Sequence, residues 1–347
     1  MRTVRGVSDR RCVAWGAVLT GNEVSVLLSS HEASVAPRLF RYALGRNPFI
    51  MTWLWGSPTR TSVRRLEIGM TESKSISVAA SRLPTALAPA LSHGIAEPIL
   101  HSAAVFLDYD GTLTPIVAQP DLAVLSDTVR ALVRRLASTS HVTIVSGRDI
   151  EVIRQLVAID GLGYVGSHGL DISGPPKFGL QRQVAEACTP ALDAVESALR
   201  RRTDGIDGVL VERKRFSISI HIREVDPRWH PQVEAIVDEL RLGYPTLRRD
   251  GGKMLYELRP DVDWDKGAAV MWLLDGMGID PSEALYIGDD LTDETAFAAL
   301  GGRGTTVIVA GPDDDRPTAA RFRVDDPAEV ATVLERLVQH RRPHPGR

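Results

Sequence analysis

The sequence predicts a doubly wound α/β fold: a mostly parallel, Rossmann-like core sheet, interrupted by an inserted α+β domain and preceded by a basic extension. Three observations carry this reading. Short continuous apolar runs, such as Ala103-Ala104-Val105-Phe106-Leu107 and Thr305-Thr306-Val307-Ile308-Val309, look like strands buried on both faces of a parallel sheet. Patterns with the period of an amphipathic helix alternate with those runs. Between residues 171 and 260 the text changes to apolar–polar alternation, the mark of antiparallel strands with one wet face.

In chain order, residues 1–95 read poorly, because neither helical nor strand periodicity persists. Residues 1–70 hold ten arginines and no lysine against Asp9, Glu23, Glu32 and Glu67, a net charge of +6. The expectation is a flexible, basic, poorly ordered extension, with Met51 or Met70 nearer the natural start. Its basic residues and the apolar stretch from Cys12 weakly imitate a secretory leader, but no small-residue cleavage site closes it. A charge of +6 without helical or aromatic spacing is also a weak footprint for nucleic acid.

From residue 96 the core elements follow. The run 103–107 is a strand, and Ser126-Asp127 caps a helix carrying Val129, Leu132, Val133 and Leu136. His141-Val142-Thr143-Ile144-Val145 is the next strand, Asp149 opens a helix through Ile153 and Val157, and Tyr164-Val165-Gly166 is a third strand. After the insertion, 266–277 reads as a helix, 284–287 as a strand and 305–309 as a last strand. Inside it, Val209-Leu210-Val211 and the alternating run from Phe216 to Ile222 are strands, flanked by helical patterns at 191–199 and 232–240. Pro175-Pro176 opens the insertion and Arg259-Pro260 closes it. The core domain is thus 96–170 plus 261–340, and the inserted domain is 171–260.

The totals agree with a globular, soluble, cytoplasmic protein. The chain has 347 residues, about two domains' worth, of which 44% are hydrophobic and 24% charged. Lys+Arg of 41 against Asp+Glu of 44 leaves −3, which argues against a nucleic-acid coat or a polybasic membrane anchor. The two cysteines are too few for a disulfide framework. The longest uncharged run, 83–96, has 14 residues and falls short of the ~20 that span a bilayer. Only five cations are lysine (Lys74, Lys177, Lys214, Lys253 and Lys266), so each is more informative than usual.

The residues that carry chemistry stand at strand ends, where open α/β sheets bind ligands. Asp108-Tyr109-Asp110-Gly111-Thr112 follows the first strand, and two carboxylates so close repel unless a cation lies between them or one is protonated. A string of this type arises by chance in roughly a few chains per thousand of this length. Asp289-Asp290-Leu291-Thr292-Asp293-Glu294 follows another strand; Asp293 and Glu294 also suit a helix N-terminus, whereas Asp289 sits at a strand exit like Asp108. Ser146-Gly147-Arg148 offers a hydroxyl and a guanidinium for phosphate oxygens. Lys266 begins the helix that leads to the second acidic cluster.

In this order, Asp-x-Asp, Ser, Lys and Asp-Asp resemble the haloacid dehalogenase-like phosphohydrolases over residues 98–340, and the insertion matches their larger cap type. Ser146-Gly147-Arg148, Gly166-Ser167-His168-Gly169-Leu170, Glu212-Arg213-Lys214, His221-Ile222-Arg223, Gly252-Lys253 with Glu257, and Gly288-Asp289-Asp290-Leu291-Thr292-Asp293-Glu294 further resemble the trehalose-6-phosphate phosphatases. Ile222 departs from the aromatic often found there.

The resemblance implies Asp108 as nucleophile and Asp110 as acid and base, a role that needs a raised pKa on Asp110. It implies Ser146 and Lys266 as phosphoryl ligands, and Mg²⁺ held by Asp108, the Asp110 carbonyl and Asp289, with Asp290 or Asp293 in support. Substrate contacts would come from Arg148, Glu212, Lys214, Arg223, Lys253 and Glu257, the last five being mixed charges suited to sugar hydroxyls. The implied substrate is trehalose 6-phosphate, with a trehalose-6-phosphate synthase as a partner to consider. The alternatives are a phosphatase of another sugar phosphate and a non-catalytic partner of such a synthase.

Overall fold

A computed structural model of the chain describes residues 77–341 except 89–90, 118–121 and 253, together with the backbone of five strands between Cys12 and Glu67. Those five strands form a unit of their own, a three-stranded antiparallel meander and a separate hairpin, which the weak periodicity did not predict. The rest of the extension, expected to be flexible, and Met70, one of the two expected starts, lie outside the described residues, while Met51 falls in the first strand of the hairpin.

The second unit, from Ser75 onward, is built from β1 (Ala104–Asp108), β2 (His141–Val145), β3 (Gly163–Gly166), β4 (Asp171–Ser173) and β5 (Gln181–Gln183), then β6 (Leu210–Lys214), β7 (Ser217–His221), β8 (Leu247–Gly252) and β9 (Leu255–Pro260), and finally β10 (Ala284–Gly288), β11 (Thr305–Val309) and β12 (Phe322–Val324). Its longer helices are α1 (Asp127–Ala137), α2 (Ile150–Val157), α3 (Thr189–Thr203), α4 (His230–Gly243), α5 (Lys266–Met277), α6 (Glu294–Leu300) and α7 (Pro327–His340). The core sheet has eight strands in the order β5-β4-β3-β2-β1-β10-β11-β12. From β3 to β12 every pairing is parallel, and β4 and β5 finish that edge antiparallel.

Both faces of the sheet are covered, which is why its strands read as continuous apolar runs. Val105 and Leu107 pack with α1, α2 and α7 on one side, while Ala104 and Phe106 pack with α5 and α6 on the other. Each buried Val, Leu, Ile or Phe contributes about 1.5–3 kcal/mol. The inserted domain has its own antiparallel sheet, β6-β7-β9-β8, with α3 and α4 laid on one face. Val211, Ile218, Ile220 and Leu258 point to those helices, so Glu212, Lys214 and Glu257 share the opposite face.

Two expected boundaries move. Residues 77–95, counted with the extension, belong to the core: Val78–Ala79 pairs with Pro317–Thr318, and Ala80, Ala86 and Ile95 are fully buried. Residues 171–183, counted with the insertion, form β4 and β5 of the core sheet. Their short polar text, with Gln181, Arg182 and Gln183 all exposed, carries no core signature because β5 is an edge strand.

Candidate active site

The parallel register brings the chemistry-bearing residues to one rim. Asp108 lies opposite Val145, so Ser146 is the next residue out on the neighbouring strand, and Ile287 lies opposite Leu107 on the other side. Lys266 is the first residue of α5, whose N-terminus is closed by the Asp265 side chain accepting from the Ala268 amide at 2.8 Å. Its ammonium enters the rim, 3% exposed, and donates at 2.7 Å to Asp108 Oδ1 and at 2.7 Å to Asp293 Oδ1.

Asp293 holds this arrangement together. It is fully buried; Tyr286 donates its hydroxyl to Oδ1 at 2.7 Å, and the amides of Asp289 and Asp290 donate to Oδ2 at 3.1 and 3.0 Å. Every oxygen of that carboxylate is therefore engaged, and the loop after β10 is folded around it. Asp290 is exposed and accepts from the Thr292 hydroxyl at 3.3 Å. Asp289 faces inward and accepts from Thr112 at 3.3 Å. Gly111 is required where this loop meets the first: its φ is +84°, and a Cβ there would lie 2.1 Å from Asp289 Oδ2.

Electrostatics follow from crowding. Burial pushes the Asp108 carboxyl well above the carboxylate range, and Asp293 and Asp289 add to this while Lys266 opposes it. Asp289 is raised to about 6, by burial first and then by Asp293 and Asp290. Burial alone would lower Lys266, but Asp108 and Asp293 outweigh it and keep the ammonium charged. Asp108, Asp289 and Asp293 each place an oxygen within 4.8 Å of the others. With all three ionised, the carboxylates would outweigh the one ammonium by two negative charges, which a hard divalent cation with oxygen ligands would balance. Asp108 and Asp289 are free to serve as ligands; Asp293, saturated by its hydrogen bonds, fits the supporting position.

The remaining expected site residues fall into three groups. Ser146 is buried beside Asp108, and its Oγ accepts from the Arg148 amide at 3.1 Å. Asp110 and Arg148 are paired with each other, Nε to Oδ2 at 2.7 Å and Nη2 to Oδ1 at 2.6 Å. Lys214 and Glu257 line a cavity between the core and the inserted domain, with Gly147, Asp149, His168 and Arg259. Glu212 bonds His221 at 2.9 Å on the same sheet face, whereas Arg223 is exposed in the turn after β7. Lys253 lies outside the described residues.

Several participants escaped the sequence reading. Tyr286 looked like one more strand residue. Arg248, Asp250 and Arg259 form a charged patch on the site-facing side of the inserted sheet. Arg215, in the β6–β7 turn, reaches the core through its amide to Asp149 at 2.8 Å and its guanidinium to Asp171 at 3.3 Å. Pairs of this kind depend on residues far apart in the chain.

A covered parallel sheet, an aspartate–lysine–aspartate cluster at its carboxyl rim and an inserted lid-like domain define a haloacid dehalogenase-like phosphohydrolase. A solved haloacid dehalogenase-like hydrolase from Bacteroides thetaiotaomicron superposes with a TM-score of 0.50 at 16% identity, covering 68% of this chain and 99% of that one. More narrowly, the trehalose-phosphatase family model matches residues 106–328. The trehalose-phosphate phosphatase of Mycobacterium tuberculosis (strain H37Rv) is 39% identical over 272 residues, 77% of this chain and 68% of that one. A crystal structure titled as a trehalose-6-phosphate phosphatase related protein superposes with a TM-score of 0.57 at 25% identity, covering 68% of this chain and 97% of that one. The chain belongs to the trehalose-phosphatase family.

Proposed function

We propose that this protein is a cytoplasmic, Mg²⁺-dependent phosphatase that hydrolyses trehalose 6-phosphate to trehalose and inorganic phosphate through an aspartyl-phosphate. The observation that carries the reading is the buried Asp108 carboxylate held at 2.7 Å by Lys266, beside the Asp289 carboxylate. Asp108 attacks phosphorus, the bond from phosphorus to the sugar oxygen breaks, and Asp110 gives that oxygen its proton. Water then attacks the aspartyl-phosphate, Asp110 takes a proton from it, and phosphate leaves. Ser146 and Lys266 hold the phosphoryl oxygens, the ammonium offsetting their charge as it spreads in the transition state. Mg²⁺, held by Asp108, Asp289 and the Asp110 carbonyl, would supply charge neutralisation at the phosphoryl group. Asp110 must leave Arg148 to act, and Arg148, with Glu212, Lys214, Arg223, Lys253 and Glu257, is then assigned to the substrate.

The test is phosphate release from a panel of sugar phosphates by the wild type and by Asp108→Asn, with and without Mg²⁺. Trehalose 6-phosphate should be turned over fastest, and only by the wild type with metal. Preference for another sugar phosphate, or an active Asp108→Asn, would overturn the reading.

A further inference from the structure

His168 stands where the core meets the inserted domain, and its setting exceeds what packing needs. It and Ser167 are two successive non-glycine residues in the left-handed region, at φ +56° and +50°. Such strain persists only where surrounding contacts over-determine it. Here the Ser167 hydroxyl donates to Asp149 at 2.8 Å, the Ser167 amide to the Arg148 carbonyl at 2.8 Å, and the His168 amide to the Ser146 carbonyl at 3.1 Å. These bonds hang the ring on the Ser146-Gly147-Arg148 loop. The ring lies so close over Gly147 that a Cβ there would approach Cε1 to 2.4 Å, so position 147 can carry no side chain without moving it.

The ring borders the cavity lined by Lys214, Glu257 and Arg259 from the inserted domain, and its Nδ1 is buried with no hydrogen-bond partner among the described residues. An unpaired buried nitrogen costs free energy that an apolar ring of the same shape would avoid. Burial, and then the Lys266 charge, lowers the imidazole to about 4, so it is neutral near pH 7. A neutral imidazole offers one donor and one acceptor, the complement of a hydroxyl, while the cations for a phosphate lie elsewhere on the rim.

We propose that His168 is a specificity residue whose imidazole hydrogen-bonds a hydroxyl of the sugar half of the substrate, at the seam between the core and the inserted domain. The inference rests on the phosphatase reading above and deepens it: one reader of the sugar sits on the core, fixed to the phosphoryl-binding loop. The sugar is thus registered against the phosphoryl group independently of how the inserted domain moves.

Steady-state kinetics of the full chain test this with His168→Phe, which removes both ring nitrogens, and His168→Asn, which tolerates a left-handed backbone and keeps polar atoms. The substrates are trehalose 6-phosphate and p-nitrophenyl phosphate, which lacks a sugar. For His168→Phe, kcat/KM for trehalose 6-phosphate should fall about 10- to 100-fold, and at least tenfold further than for the aryl ester. His168→Asn should recover part of that loss. Parallel losses on both substrates, or full activity of His168→Phe on the sugar phosphate, would overturn the proposal. If His168→Phe does not fold, product inhibition of aryl ester hydrolysis by His168→Asn decides. A raised inhibition constant for trehalose but not for phosphate supports the role, and any other pattern refutes it. Should the wild type prefer a different sugar phosphate, the function above fails while the same comparison, run on that substrate, still judges His168.

Discussion

Arg148 clasps Asp110 through two parallel hydrogen bonds of 2.7 and 2.6 Å. Both carboxylate oxygens are committed to the guanidinium, so Asp110 reaches a bound ligand only if the fork opens. Arg148→Ala should lower kcat/KM for trehalose 6-phosphate about 10- to 100-fold, in keeping with the ~1.5–3 kcal/mol of hydrogen bonds to charged groups. The loss should be smaller for p-nitrophenyl phosphate, which offers no sugar for the freed guanidinium to bind. Steady-state kinetics on both esters measure the difference; equal losses would show that Arg148 does not contact the sugar.

Asp293 should matter for folding as much as for activity. Its removal in Asp293→Ala leaves Lys266 buried against one carboxylate fewer and frees the two loop amides. Urea unfolding should show a loss of about 3–5 kcal/mol, the cost of breaking a buried ion pair from one side. Tyr286→Phe deletes one hydrogen bond to the same carboxylate and should cost only about 1 kcal/mol.

The metal and pH are linked through Asp289. Its folded pKa of about 6 exceeds the ~3.9 of an unfolded aspartate, so in the metal-free protein this group lowers stability as pH rises from about 4 to about 6. A bound divalent cation reverses that cost once the carboxylate is ionised. Thermal melting should therefore show a Tm gain from Mg²⁺ that is largest above pH 6 and fades below it. The gain should shrink sharply in Asp289→Asn; a gain independent of pH would place the cation elsewhere.

Phe216, 1% exposed at the tip of the β6–β7 hairpin, packs with Leu170 and Ala185 and against Trp264. Phe216→Ala should cost about 3–5 kcal/mol, read by differential scanning calorimetry. A cost under 1 kcal/mol would mean that the hairpin tip is not seated there.

How much of this was legible depends on how local the signal is. The runs at 141–145 and 305–309 and the helix at 266–277 matched the strands and helix formed there, because full burial on both faces writes an uninterrupted apolar string. Asp108, Lys266 and Asp289 could be singled out because each sits at the end of such a string. β4 and the edge strand β5 could not, since each is only three residues long and carries mostly polar text. Nor could the partnership of Asp110 with Arg148, or the engagement of Asp293 by Tyr286. Each is a pairing in space, and one chain read along its length states residue types without stating which neighbour claims them.

The placement of the lid-like insertion has a consequence for synthesis. Asp108 emerges from the ribosome 158 residues before Lys266, with the whole inserted domain between them. A nascent chain that has made only the first half owns Asp108 and not its counter-charge, so its rim cannot close and its first strand lacks the neighbour on one side. The charge pair at the rim is then completed only when the trailing segment brings β10 in beside β1.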